Sequence, residues 1–183
     1  MTLSTLVKAA SLTLAVALAA PPAFAEAVMA KPAGDAVPIM TIDRATFLKV
    51  LASANEFEIQ SSKIALEKSQ STPLKQAAEM IIADHTKAAD KLKATLTGKG
   101  VAVPPPTLSP KHSLMIDQLK AADAKAFDRL YLDMQAQAHL EAVALFRTYA
   151  GSGDDQELVG FTRETLPSLE THLAHVTKLI AGS

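Results

Sequence analysis

The chain has no cysteine and no tryptophan, and it is poor in glycine and in aromatic residues. Without cysteine there is no disulfide, no thiolate nucleophile and no cysteine for lipid attachment, so any metal site must be built from His, Asp and Glu. Excess charge of one sign is also missing: 18 Lys and Arg face 19 Asp and Glu, a net charge of −1 with both signs interspersed. Such a balance lacks the basic footprint of a nucleic-acid binder, and no nucleic-acid partner is expected. No Gly-rich phosphate loop follows a strand pattern, and neither Gly-x-Ser-x-Gly nor His-Glu-x-x-His occurs, which leaves hydrolase and nucleotide chemistry unsupported. The six methionines do not cluster, so a copper-binding methionine motif is absent; Met80, Met115 and Met134 read as core or edge filler.

The longest apolar run, Ala9 to Ala20, falls well short of the ~20 residues that a membrane span requires. It follows a single Lys8 and precedes Pro21, Pro22 and the small-residue site Ala23-Phe24-Ala25. Residues 1–25 therefore read as a signal peptide cleaved after Ala25, with export to the periplasm and no stable membrane insertion afterwards. Residues 26–40, rich in Ala, Pro and Val without periodicity, read as a flexible leader. Residues 41–183 have the length of one domain.

Abundant Ala, Leu, Lys and Glu, with glycines almost wholly outside the periodic segments, is a composition for helices, and the expected class is all-α. A first helix should start near Thr41 or Asp43, bury Phe47, Val50, Leu51, Ala54, Phe57, Ser61, Ile64 and Ala65 at three- and four-residue spacing, and end near Ser69. A second should be capped by Thr72, carry Pro73 in its first turn and run to Gly98. The link between them is short enough to make an antiparallel hairpin. "GKGVAVPPPTLSP" then forms a long extended crossover, followed by a short helix over about Lys111–Ala121. Two further long helices, about Asp123–Ala150 and Asp155–Ile180, flank "GSGDD", with Pro167 expected to bend the last. Two helical hairpins joined by a Pro-rich crossover with a short extra helix make a ferritin-like four-helix bundle.

The stretches "ANEFEIQSSKIAL", "AEMIIADHTKAADKLK", "FDRLYLDMQAQAHLEAVALF" and "ETLPSLETHLAH", in this order after a signal peptide, resemble the secreted ferritin-like family known as domain of unknown function 4142. The resemblance covers nearly the whole mature chain. It implies a periplasmic four-helix bundle and does not by itself imply an activity.

At roughly 100° per residue, Glu58, His85, Glu141 and His172 fall within about 60° of the centre of their apolar stripes, whereas Asp84, His139, Glu170 and His175 fall towards the edges. Buried carboxylates and imidazoles need hydrogen bonds, charge partners or a metal. The order Glu58, His85, Glu141, His172 reproduces half of a di-iron bundle, but Ile82 and Leu169 stand where the Glu of each Glu-x-x-His would be, which argues against two irons. What remains is one divalent ion, zinc, iron, manganese or copper, held by carboxylates and imidazoles. By depth, Glu58 and His85 lie at one level of the first hairpin, while Glu141 and His172 differ by roughly 10 Å at 1.5 Å per residue. His139 matches the level of Glu141, so His139 and His172 both stand as candidates. Two functions stay open: metal handling or stress protection through such a site, and a non-enzymatic envelope protein whose hydrogen-bonded polar core (Glu58 with His85, Tyr131 or Gln135 with His172) fixes the bundle and whose surface meets an envelope partner or a second copy. Nothing in the sequence identifies an enzyme.

Overall fold

The computed structural model describes residues 41–182 apart from Lys99 and Val103. The expected signal peptide and leader lie outside the described residues. Five helices follow in order: α1 (Arg44–Lys68), α2 (Thr72–Thr97), α3 (Pro110–Ala121), α4 (Ala124–Ser152) and α5 (Gln156–Ala181). There is no strand among the described residues. No described helix is long and apolar enough to cross a membrane.

Each helix starts where a short polar side chain can accept from the free N–H groups of its first turn. Asp43 accepts from Thr46 N at 2.8 Å, Asp123 from Lys125 N and Ala126 N, and Asp155 from Glu157 N and Leu158 N. At α2 the cap is Ser71 rather than the expected Thr72. Both residues carry an eligible hydroxyl, but Ser71 is the one with extended backbone, and its Oγ accepts from Leu74 N. The short helix likewise begins one residue earlier than expected, with Pro110 in its first turn behind the Ser109 cap. α4 runs two residues past Ala150, into the glycine-rich stretch, and stops at Gly153. A Cβ on Gly153 would lie 2.5 Å from the Tyr149 ring, so a larger residue would have to displace that buried aromatic. α5 stays helical on both sides of Pro167.

The neighbouring long helices are α1 with α2, α2 with α5, α5 with α4 and α4 with α1, which closes a four-helix bundle of two hairpins. α3 packs on the outside against α1 and α4, placing Ile116 and Leu119 in the core. Its C-terminal end is held by Lys68, whose Nζ donates to the carbonyls of Leu119, Lys120 and Ala122. Three carbonyls at a helix C-terminus are a favourable seat for an ammonium group.

The interior is divided along its length. One apolar cluster holds Phe57, Leu74, Ile81, Ile116, Phe127, Tyr131 and Val176; the other holds Phe47, Leu92, Leu96, Phe146, Tyr149, Leu158, Phe161 and Leu169. In the second cluster the Phe47 and Tyr149 rings stack with centroids 4.1 Å apart. Between the clusters lies a buried polar layer containing Glu58, His85, His139 and His172, with Ser61 and Gln135 beside it.

Candidate metal centre

Three of the four long helices each send one imidazole into this layer: His85 from α2, His139 from α4 and His172 from α5. One ring nitrogen from each lies within 4.8 Å of the others. The ring centroids stand 5.3 to 5.7 Å apart. His139 and His172 approach closest, with Nε2 of the first 3.3 Å from Nδ1 of the second.

The outer nitrogens determine what the inner ones can do. His139 Nδ1 is 2.9 Å from the backbone carbonyl of Gln135, His172 Nε2 is 2.9 Å from a carboxylate oxygen of Asp84, and His85 Nδ1 is 3.2 Å from Asn55 Oδ1. All three partners are acceptors, so each outer nitrogen carries the proton and donates it. The inner nitrogens, His85 Nε2, His139 Nε2 and His172 Nδ1, are left to face a common space, where an unprotonated nitrogen offers a lone pair. His85 Nε2 is buried and has no hydrogen-bond partner among the described residues. Fixing a ring through its far N–H is how metal-binding histidines are oriented and made more basic. In a tetrahedral site with metal–nitrogen bonds of ~2.0 Å, ligand nitrogens stand about 3.3 Å apart. One pair already has that spacing.

Burial favours the neutral form of His85 and His139. It pushes His139 down to about 4, with His172 adding to the effect and the Gln135 carbonyl opposing it. His85 is lowered well below its ordinary value by burial and then by its two histidine neighbours. Neutral imidazoles are the form that binds a metal. Burial likewise holds Glu58 well above the usual carboxyl range, against an opposing hydrogen bond from Gln135. Glu58 Oε1 lies 3.7 Å from His139 Nδ1, and burial shifts both groups towards their neutral forms.

The expected site residues separate in the structure. His85, His139 and His172 come together, and His139 and His172 are both present rather than alternatives. Glu58 is buried beside them but on the outer side of His139, and it does not pair with His85, which turns to Asn55 instead. Glu141 does not join them: it is exposed, 2.5 Å from Lys111 Nζ on the bundle surface. An apolar-only stripe on α4 leaves out Gln135 and His139, both fully buried. Adding them, with Leu132, Val143 and Phe146, turns the buried face by roughly 50° towards His139 and away from Glu141. The expected bonding of His172 to Tyr131 or Gln135 is also replaced. Tyr131 hydroxyl pairs with Ser62 Oγ, Gln135 Nε2 donates to Ser61 Oγ, and Asp84 takes His172.

The depth mismatch of His172 shrinks for a geometric reason. Counted from the middle of the 153–155 turn, His139 and His172 differ by about three residues, roughly 5 Å. Side chains on a helix lean towards its N-terminus, so in an antiparallel pair His139 leans away from the turn and His172 towards it. The two leans close the gap. Asp84 and Asn55 are hydrogen-bond partners of the histidines that an apolar stripe does not reveal. A polar residue at the edge of a buried stripe faces a neighbouring helix, and Asp84 on α2 reaches α5 in this way.

A cavity of about 400 Å³ adjoins the layer, lined by all three histidines, by apolar side chains of the four long helices, and by Pro104 and Pro106 of the crossover.

The fold is shared with solved structures. A crystal structure of a DUF305 fragment from Deinococcus radiodurans superposes with a TM-score of 0.66 at 16% identity, covering 75% of this chain and 94% of that one. A structure described as CopM in the Cu(II)-bound form superposes with a TM-score of 0.65 at 19% identity, covering 78% of this chain and 99% of that one. At such identities the likeness is one of fold. No curated protein matches. A family profile described as domain of unknown function DUF4142 matches residues 29–179, nearly the whole bundle and the segment before it, and the chain belongs to that family.

Proposed function

We propose that this protein is an exported, periplasmic metal-handling protein that takes one copper or zinc ion onto His85, His139 and His172. The observation that carries the reading is the arrangement of acceptors: an oxygen faces the outer nitrogen of each ring, which leaves three inner nitrogens sharing one buried space. His139 Nε2 and His172 Nδ1 stand 3.3 Å apart, and His85 Nε2 has no partner among the described residues. Buried polar atoms are normally satisfied, and an ion between the three rings would give His85 Nε2 a partner. An all-imidazole donor set suits copper and zinc better than manganese or iron, which favour carboxylate oxygen. The fold likeness to a protein described in a Cu(II)-bound form makes copper the first ion to test.

The ion would complete the layer, and the chain's own residues would supply its geometry. Asp84, Asn55 and the Gln135 carbonyl hold the rings, and the flanking apolar clusters exclude water. The test is elemental analysis of protein purified from periplasm, together with copper and zinc titration of the metal-free form. One equivalent is expected in the wild type and a loss of at least about tenfold in affinity in His139→Ala. Substoichiometric metal that does not change on substitution would refute the proposal.

A further inference from the structure

Three imidazoles leave a divalent ion at least one open coordination position, as metal sites that take an exogenous ligand do. The two carboxyl groups near the centre both stand beside outer nitrogens, Asp84 at His172 Nε2 and Glu58 at His139 Nδ1, so neither occupies that position. An ion held by three imidazoles gains no compensating negative charge from them, and an anionic donor is preferred on its open face. The cavity lined by the same three histidines has about 400 Å³, within the range of small-molecule sites. Its wall includes Leu51, Ala88, Ala142, Phe146, Phe161 and Leu169. Phe146 and Phe161 present rings 6.0 Å apart. The rim mixes lysines with carboxylates, so selection of an anion comes from the ion and selection of its body from the wall.

Building on the metal centre proposed above, we infer that the cavity is a binding site for a small organic anion with an apolar body, an aromatic monocarboxylate of about the size of phenylacetate, whose carboxylate takes the open position on the ion. The body lies against the apolar wall, and the small side chains of Ala88 and Ala142 leave room for it.

The experiment uses the mature protein loaded with one equivalent of Cu(II) and titrated separately with acetate and with phenylacetate, following the ligand-field absorption and the electron paramagnetic resonance spectrum. Both anions should give a saturable change, with phenylacetate binding about tenfold or more tightly because only it fills the cavity. Ala142→Phe should remove that advantage while leaving acetate affinity and copper stoichiometry unchanged. Ala88→Leu, a smaller intrusion from another helix, should reduce it in the same direction, so the prediction does not depend on one variant folding. Stoichiometric copper with a spectrum indifferent to both anions, or equal affinity for the two, would overturn this inference and leave the metal centre standing. Failure to bind copper or zinc at all would overturn both.

Discussion

Replacing His139 with leucine should have effects of opposite sign in the metal-free and metal-loaded protein. The imidazole is fully buried and makes one hydrogen bond to protein with clear donor and acceptor, Nδ1–H to the Gln135 carbonyl, with a net value of about 1 kcal/mol. Its other nitrogen is 3.3 Å from His172 Nδ1. Leucine loses the hydrogen bond, places roughly 1.5–3 kcal/mol of apolar side chain between two apolar clusters and is the better helix former. The balance is a metal-free variant more stable by about 1 kcal/mol, or roughly 3 °C in Tm for a domain of this size. In the loaded protein the order reverses. At a free metal concentration of 100 Kd the wild type gains about 2.7 kcal/mol from binding, and a variant that has lost a ligand gains little of it. Calorimetric or fluorescence melts of both proteins, with chelator and with Cu(II) or Zn(II), read the four values directly. A variant that loses more than 2 kcal/mol without metal, yet is stabilised by metal as much as the wild type, would show that His139 is a structural residue and not a ligand.

Further outcomes follow from the same geometry. Asp84→Ala should weaken metal binding by about 10–100-fold, because the His172 ring loses the acceptor that orients it, while the fold stays intact by circular dichroism. Glu141→Ala should leave metal affinity unchanged and stability within about 0.5 kcal/mol, since it removes only exposed contacts with Lys111 and Gln137; a large loss of metal would contradict its surface position. The pH dependence of metal-free stability should carry a His139 signature. The unfolded chain takes up this proton near the ordinary 6.5 and the folded chain only near 4, so the contribution is complete above 6.5 and is lost as pH falls towards 4. Urea unfolding between pH 7 and pH 4.5 should therefore cost the wild type more than His139→Leu, by on the order of 2 kcal/mol.

The architecture was legible because it is written in local chemistry. The helix caps, the prolines of the crossover and the three- and four-residue spacing of Phe47, Phe57, Ile81 and Phe161 specify helices and their buried faces without reference to distant residues. His85 and His172 were legible for the same reason, as they sit near the middle of apolar stripes. His139 and Glu141 exchanged roles because the buried face of α4 is partly polar, and a stripe drawn through apolar residues alone points about 50° away from it. The partners that orient the histidines were not legible. Asp84 reaches His172 and Asn55 reaches His85 across helix interfaces, and which edge residue meets which neighbour depends on the order of helices around the bundle. Sequence periodicity does not contain that order.

The polar layer that divides the two apolar clusters also bears on how the bundle opens. Each cluster is contiguous within itself, and the layer between them contributes few apolar contacts, so in the metal-free protein the two ends can open as separate cooperative units. Leu169 and Val176 belong to different clusters, although His172 lies between them on a single helix. An ion joining α2, α4 and α5 at the boundary would couple the two ends. Native-state hydrogen exchange would then show amides near Leu169 and Val176 opening with distinct free energies without metal and with a common one when it is bound. Persistence of distinct values in the loaded protein would rule that coupling out. Metal occupancy would thus be registered as a change in the size of the cooperative unit, felt at both ends of the molecule, with little change in the average structure.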